Sequence, residues 1–396
     1  MLVVHRLNLH PKLCARRRLV DLRPSVDALI SNRRQTLPAA KVLCMSRTPS
    51  RLRTRLVSVA AAVGIAAGSV VAGAAPAAAA PGSGFGFAAG GTLLTLPQGD
   101  LDRELDAAAN LGAEWLRVEV SWRNVEPQLG VLDWSNVDRV IESANRHGIQ
   151  VLGLVSYAPS WAQVPGPWTL TPGGRPADPQ AFGNFAGRAA ERYASTVSHW
   201  EIWNEPNLPL FFSPMPDVDA YAAILRASYG AIHAAVPGAT VISGGVAIGN
   251  NTAVTIAPET FVDELYKRGA ASYTDAIAVH PYTFPFTPYD DQLGNWNDVA
   301  AVRDVLVRNG DAGKKIWITE FGAPTGVAPD AVNDGQQARI LADGITASEG
   351  VDFTGPIFVY SIRDNGPDLA DREQNFGVLR GDFSEKPSAD VLRNAN

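Results

Sequence analysis

Two glutamates far apart in the chain each close a short apolar run. Glu205 closes His199-Trp200-Glu201-Ile202-Trp203-Asn204-Glu205-Pro206-Asn207, and Glu320 closes Lys315-Ile316-Trp317-Ile318-Thr319-Glu320-Phe321-Gly322. Runs of aromatic and aliphatic residues like these read as β-strands, so both carboxylates fall at strand ends. A lone loop glutamate is ordinarily a solvated charge or a cap. A pair at matched strand ends, each beside aromatics, suits glycoside hydrolysis. One carboxyl group protonates the leaving oxygen while the other attacks the anomeric carbon or activates water. The sequence has no His-Glu-x-x-His or paired-cysteine metal cluster and no Gly-x-Ser-x-Gly elbow, and Gly84-Phe85-Gly86 lacks the spacing of a dinucleotide loop. No metal and no cofactor is expected.

Such a pair needs a scaffold that makes the strand ends face each other. After Pro81, strand and helix patterns alternate. Strands are predicted at 84–88, 115–122, 149–157, 199–203, 240–246, 276–280, 315–319 and 357–361. Helices are predicted at 100–111, 134–147, from 179 to about 194, and at 218–236, 259–268, 298–308, 336–347 and 388–393. Apolar strands separated by amphipathic helices imply a parallel sheet with helices on its outer face. Eight units predict an α/β fold, a single (β/α)8 TIM barrel spanning 81–396. Glu205 then follows the fourth strand and Glu320 ends the seventh, facing each other across the mouth where active sites are built. Glu119 and Glu201 lie within strands and read as interior or supporting groups. Aromatic faces can hold sugar rings. Trp122, Trp161, Trp168, Phe211, Phe212, Phe284, Phe286 and Trp296 are the candidates, some of which must be core. Trp161 is preferred, because the Pro/Gly-rich loop 158–179 leaves the third strand toward the mouth.

The first 80 residues differ in kind. They carry 13 Lys or Arg and two acids, Asp21 and Asp27. Arg47, Arg51, Arg53 and Arg55 precede an apolar run from 56 to 75, and Ala77-Ala78-Ala79-Ala80-Pro81 follows. A basic segment, an apolar segment and small residues at a cleavage site make a secretory signal over 45–80. An uncleaved anchoring helix is the alternative. Residues 1–44 read as an upstream extension before a true start at Met45. Without residues 1–80 the chain has 21 basic and 38 acidic residues, a formal charge of −17 against −6 for the whole. So acidic a domain is a poor nucleic-acid binder and suits a neutral or cationic substrate. Both cysteines, Cys14 and Cys44, fall in the leader, so no disulfide is expected beyond it. The expected product is secreted or cell-wall associated, monomeric, and free of the membrane once the signal is cleaved.

The stretch Trp200-Glu201-Ile202-Trp203-Asn204-Glu205-Pro206 resembles the acid/base motif of clan A glycoside hydrolases, the (β/α)8 retaining enzymes. Trp317-Ile318-Thr319-Glu320-Phe321-Gly322 resembles their nucleophile motif. The cellulase-like family five and the xylosidase-like family thirty-nine are the most similar, and a looser match reaches Phe376-Gly377-Val378-Leu379 and Lys386-Pro387. The resemblance implies that Glu205 is the acid/base and Glu320 the nucleophile, with retention of configuration. It implies that Asn204 binds the sugar 2-hydroxyl, that Arg117 in the second strand keeps Glu320 ionised, and that His280 and Tyr282 form the sixth-strand pair whose tyrosine hydrogen-bonds the nucleophile. On the residues alone, Arg117 could instead be a structural ion pair with Glu119 or Glu201, and His280 a satisfied core histidine. Family five usually has a tryptophan at the end of the eighth strand; Tyr360 stands there in this chain. The expected partner is a carbohydrate, a polysaccharide or oligosaccharide. A transglycosylase on the same site and a non-catalytic carbohydrate-binding cell-wall protein are the rival readings.

Overall fold

The computed structural model describes residues 84–166 and 173–395. The upstream extension 1–44, the expected signal 45–80 and Trp168 lie outside the described residues. Eight strands run in parallel: β1 (Phe85–Ala88), β2 (Trp115–Ser121), β3 (Gln150–Ser156), β4 (His199–Ile202), β5 (Thr240–Ser243), β6 (Ala276–His280), β7 (Lys315–Phe321) and β8 (Thr354–Val359). Each pairs with its sequence neighbours, and β8 returns to β1 through Phe85↔Ile357 to Phe87↔Val359. The seam between β5 and β6 is the irregular one. Ile242 pairs with Ala276, then Gly244-Gly245 interrupt the strand, and a two-residue extension, Val246–Ala247, continues the pairing opposite Val279 and His280. The result is the (β/α)8 barrel expected from the sequence.

Helices alternate with the strands: α1 (Gln98–Asn110), α2 (Ser135–Arg146), α3 (Pro179–Arg192), α4 (Val218–Ala235), α5 (Pro258–Lys267), α6 (Asn297–Arg308), α7 (Asp334–Glu349) and α8 (Pro387–Arg393). Their starts are chemically marked. Asp178 and Asp217 accept the Gln180 and Ala220 N–H groups, and Asn333 with Gln336 forms a reciprocal capping box. β8 begins three residues earlier than the sequence suggests. Gly355-Pro356 looks like a turn, but the register shift against β7 between Ile316 and Ile318 absorbs it inside the strand.

Two apolar layers result. The larger lies between sheet and helices. The smaller, with Trp115, Leu152, Ile242, Trp317 and Phe358, fills the lower barrel, where Trp115 meets Trp317 edge-on at 5.3 Å. Side chains alternate along β2, so Trp115, Arg117 and Glu119 share the interior face at rising height. The barrel is therefore apolar at its base and charged above it.

Candidate active site

Local backbone geometry, more than strand alternation, brings the two glutamates together. On β7, Trp317 packs inside the barrel and Ile318 outside it. Simple alternation would send Glu320 outward after Thr319. Between Ile318 and Phe321 the strand carries one residue more than β8 opposite, and this bulge turns Glu320 into the mouth. At the end of β4 the same is achieved by left-handed backbone: Trp203 has φ 71° and Glu205 φ 45°. Asn204 and Glu205 both face inward as a result.

Arg117 is the hub. Its Nη1 donates to Glu320 Oε1 at 2.5 Å, its Nε and Nη2 donate to Glu201 at 2.6 and 3.0 Å, and Nη2 also donates to Asn204 Oδ1 at 2.9 Å. The structural pairing with Glu201 and the contact with Glu320 thus coexist. Glu201, fully buried, also accepts from Gly245 N–H and Thr319 Oγ1, so that four hydrogen bonds hold it inside the barrel. Tyr282 donates its hydroxyl to Glu320 Oε2 at 2.9 Å. His280 Nδ1 lies 3.0 Å from Glu205 Oε1 and 3.7 Å from Glu320 Oε2, and its Nε2 meets Thr319 Oγ1. A carboxylate oxygen of Glu205 and one of Glu320 lie within 4.8 Å of each other.

The two glutamates are pushed apart in acidity. Burial raises the Glu205 carboxyl above its ordinary value; the hydrogen bond and charge of His280 oppose this, and the Glu320 charge adds to it. Burial would raise Glu320 as well, but the charges of His280 and Arg117 and the hydrogen bonds from Tyr282 and Arg117 bring it below. Burial acts against a charged His280 ring, and Glu320 and Glu205 outweigh it. A carboxyl group that holds its proton more tightly beside one that holds it less tightly is the arrangement an acid and a nucleophile would need. The pH profile of kcat/KM is therefore expected to be a bell. Activity falls in acid as Glu320 gains its proton and falls in alkali as Glu205 loses its own, and a single-limbed profile on the free enzyme would contradict the assignment.

Among the described residues, Glu205, His280 and Glu320 form the one group close enough to share a metal ion. Both Glu320 oxygens already accept a hydrogen bond, Oε1 from Arg117 and Oε2 from Tyr282, and the Arg117 charge opposes a second cation there. The set fits acid–base chemistry better.

A cavity of about 690 Å³ opens over these groups. Arg117, Asn204, Glu205, Tyr282, Glu320 and Tyr360 border it, together with Phe211 and Phe284. His280 lies beneath. Trp161 does not border it and is a correction to the expectation. A short turn after β3, Ser160–Ala162, lays its indole edge-on against Trp122 at 5.3 Å, and its N–H is taken by the Glu126 carbonyl. Trp122 and Phe212 are core, and Trp296 packs on Phe321. Tyr157, Phe376, Leu208, Leu210 and Ile248 also line the cavity, and none was singled out from the sequence for the site. Tyr157 could have been found, since it directly follows β3.

Glu119 is the other addition. It borders the cavity one step above Arg117, and among the described residues no hydrogen bond or ion pair reaches its carboxylate. Burial pushes it up to about 7, with Arg117 opposing and Glu320 adding. It is an interior group, one of the two readings expected of it, and it faces the cavity.

Gly245 holds the site's packing. A Cβ there would lie 2.1 Å from His280 Nε2 and 2.8 Å from Thr319 Oγ1. Gly245→Ala is expected to destabilise the fold by about 1–3 kcal/mol through overpacking, measurable by urea unfolding. It should also displace His280 from Glu205.

No family model and no curated protein sequence matches the chain. Solved structures do resemble it. A family 39 glycoside hydrolase from the gut symbiont Bacteroides cellulosilyticus WH2 aligns with TM-score 0.64 and 23% identity, over 80% of this chain and 63% of that one. A monomeric beta-xylosidase from Caulobacter crescentus CB15 aligns with TM-score 0.58 and 20% identity, over 78% of this chain and 67% of that one. A GH5_18 protein from Streptomyces cattleya, in complex with GlcNAc, aligns with TM-score 0.57 and 16% identity, over 79% of this chain and 80% of that one. The chain thus spans just under two thirds of the first neighbour's length. At these identities the likeness is one of fold, and the folds are those of the two families the motifs resemble.

Proposed function

We propose that this chain is a retaining O-glycoside hydrolase, with Glu205 as acid/base and Glu320 as nucleophile. The observation that carries the reading is the pair itself: oxygens within 4.8 Å, one carboxyl group raised and the other lowered in acidity. That separation suits retaining enzymes, whose carboxyl groups stand about 5–5.5 Å apart, better than inverting ones at about 6.5–9.5 Å. Glu320 attacks the anomeric carbon while Glu205 gives its proton to the leaving oxygen. Glu205, now a carboxylate, then takes a proton from the water that releases the sugar. Arg117 and Tyr282 hold Glu320 ionised and aimed, and Asn204 is placed to meet the 2-hydroxyl.

The substrate is a neutral carbohydrate, polysaccharide or oligosaccharide in the first instance. Both arginines bordering the cavity already pair with carboxylates, Arg117 with Glu201 and Glu320, and Arg372 with Asp330 and Glu373. Among the described residues that border the cavity, neither arginine is without a carboxylate partner. The test is hydrolysis of aryl glycosides alongside glucan, xylan, mannan, galactan and arabinan. Turnover with the anomeric configuration of the first product unchanged supports the reading. Binding without turnover on every substrate sinks it in favour of a carbohydrate-binding protein. We also propose export, on the leader sequence alone; protein recovered from the medium should then begin at Pro81.

A further inference from the structure

We propose that the leaving-group side of this cavity is built for an apolar aglycone, an alkyl or aryl alcohol, in place of a second sugar. The inference rests on the hydrolase reading, because the roles of Glu205 and Glu320 say which side is which. The leaving oxygen must sit against the Glu205 carboxyl, so whatever it carries lies along the segments beside and after Glu205. Those segments present Leu208, Leu210 and Phe211 from the loop after β4, and Ala247 and Ile248 from the end of the strand extension after β5.

These five side chains offer no hydrogen-bonding group. The polar lining, with Arg117, Glu119, Tyr157, Tyr282, Tyr360, Arg372 and Glu373, comes from other segments, while Asn204, next to Glu205, is turned to Arg117. A sugar placed as leaving group would turn several hydroxyls toward leucine and isoleucine, and each hydroxyl buried without a partner is costly. An alkyl chain or aromatic ring meets no such penalty and removes apolar surface from water. Leu210 is 66% exposed, a large apolar side chain left in water at the rim of the cavity.

The wall is held as one piece. Leu208 N–H donates to the Glu205 carbonyl, and Phe211 and Phe212 N–H donate to that of Leu208. Asn207, fully buried, donates to the Ala247 and Ile256 carbonyls and accepts from Ala247 N–H. The apolar surface is thus fixed relative to the acid. In the reaction the anomeric carbon–oxygen bond breaks, the alcohol leaves with the Glu205 proton, and water supplies the hydroxyl that stays on the sugar. Within the hydrolase reading this replaces oligo- and polysaccharides as the substrate class with glycosides of apolar alcohols.

The experiment compares methyl, butyl and octyl β-glycosides of glucose, xylose and galactose on the full chain. Their leaving alcohols are nearly equal in acidity, so chain length isolates contact with the wall. We expect kcat/KM to rise about three- to fourfold for each methylene buried, and an octyl-to-methyl ratio above roughly 100. Leu210→Ser, at an exposed position where folding is little affected, should pull that ratio toward one. A ratio near one in the wild type, or a disaccharide turned over better than the octyl glycoside, overturns the proposal. Calorimetry with the corresponding methyl and octyl thioglycosides separates the two readings if nothing is hydrolysed. Octyl binding tighter by a similar ratio keeps the apolar subsite and rejects the hydrolase. Equal binding, or none, rejects the subsite.

Discussion

Glu320→Ala is expected to lower kcat/KM by roughly 10⁴-fold or more, since it removes the group that forms the covalent intermediate. Glu205→Ala should lose roughly 10²–10⁴-fold, the usual worth of a positioned proton donor. The second loss should depend on the leaving group. An acidic phenol departs without a proton, so aryl glycosides should suffer less than alkyl glycosides. Azide distinguishes the roles. In Glu205→Ala the glycosyl–Glu320 ester still forms, and azide attacks it to give a product of retained configuration. In Glu320→Ala azide occupies the space of the lost carboxylate and attacks directly, giving the inverted product. NMR of the glycosyl azides reads the difference. If either variant keeps activity within tenfold of the wild type on an alkyl glycoside, the assignment fails.

Arg117→Met is expected to destabilise the protein by about 3–5 kcal/mol, because it leaves buried carboxylates without their cation. Glu201 is fully buried and the Glu320 side chain 16% exposed, and Arg117 bonds both. The loss should depend on pH. The folded state holds Glu320 below its ordinary value of 4.5, so its contribution to stability is present above that value and is lost as pH falls through the folded one. Denaturation of wild type and variant should therefore differ most near neutrality and less in acid. Losing Arg117 also removes one of the groups that lower Glu320, so the acid limb of the variant's pH profile should move upward. An unfolding free energy within 1 kcal/mol of the wild type at pH 7 would show that Arg117 is dispensable to the fold.

The barrel was legible because its strands are buried on both faces and so read as apolar runs, while its helices carry caps and turn stops. That Glu205 and Glu320 would meet was legible for a different reason, the residue types around each. What escaped the sequence is how the backbone departs from regularity. The bulge that aims Glu320 and the glycine break after β5 are register effects, visible only against the partner strand. Alternation showed that Glu119 shares a face with Arg117 but not how high it stands in the barrel, so its place at the cavity was missed. Trp161 was misjudged because a loop's departure point does not say where its first turn lays a side chain. Tyr360 follows β8 and borders the cavity as expected, and Phe376, from a stretch noted only for likeness, packs on it at 5.1 Å.

The left-handed backbone at Glu205 sets two demands on one position. Glycine or asparagine would occupy φ 45° with less strain, and a residue with a full side chain held there costs of order 1–3 kcal/mol. The proposed chemistry nevertheless requires a carboxylate. A search through variants that rewards heat resistance alone would therefore be drawn toward replacing the proposed acid/base, and Trp203 two residues before it, at φ 71°, exerts the same pull. Any programme to harden this protein has to fix 203–205 in advance and look for its gains elsewhere.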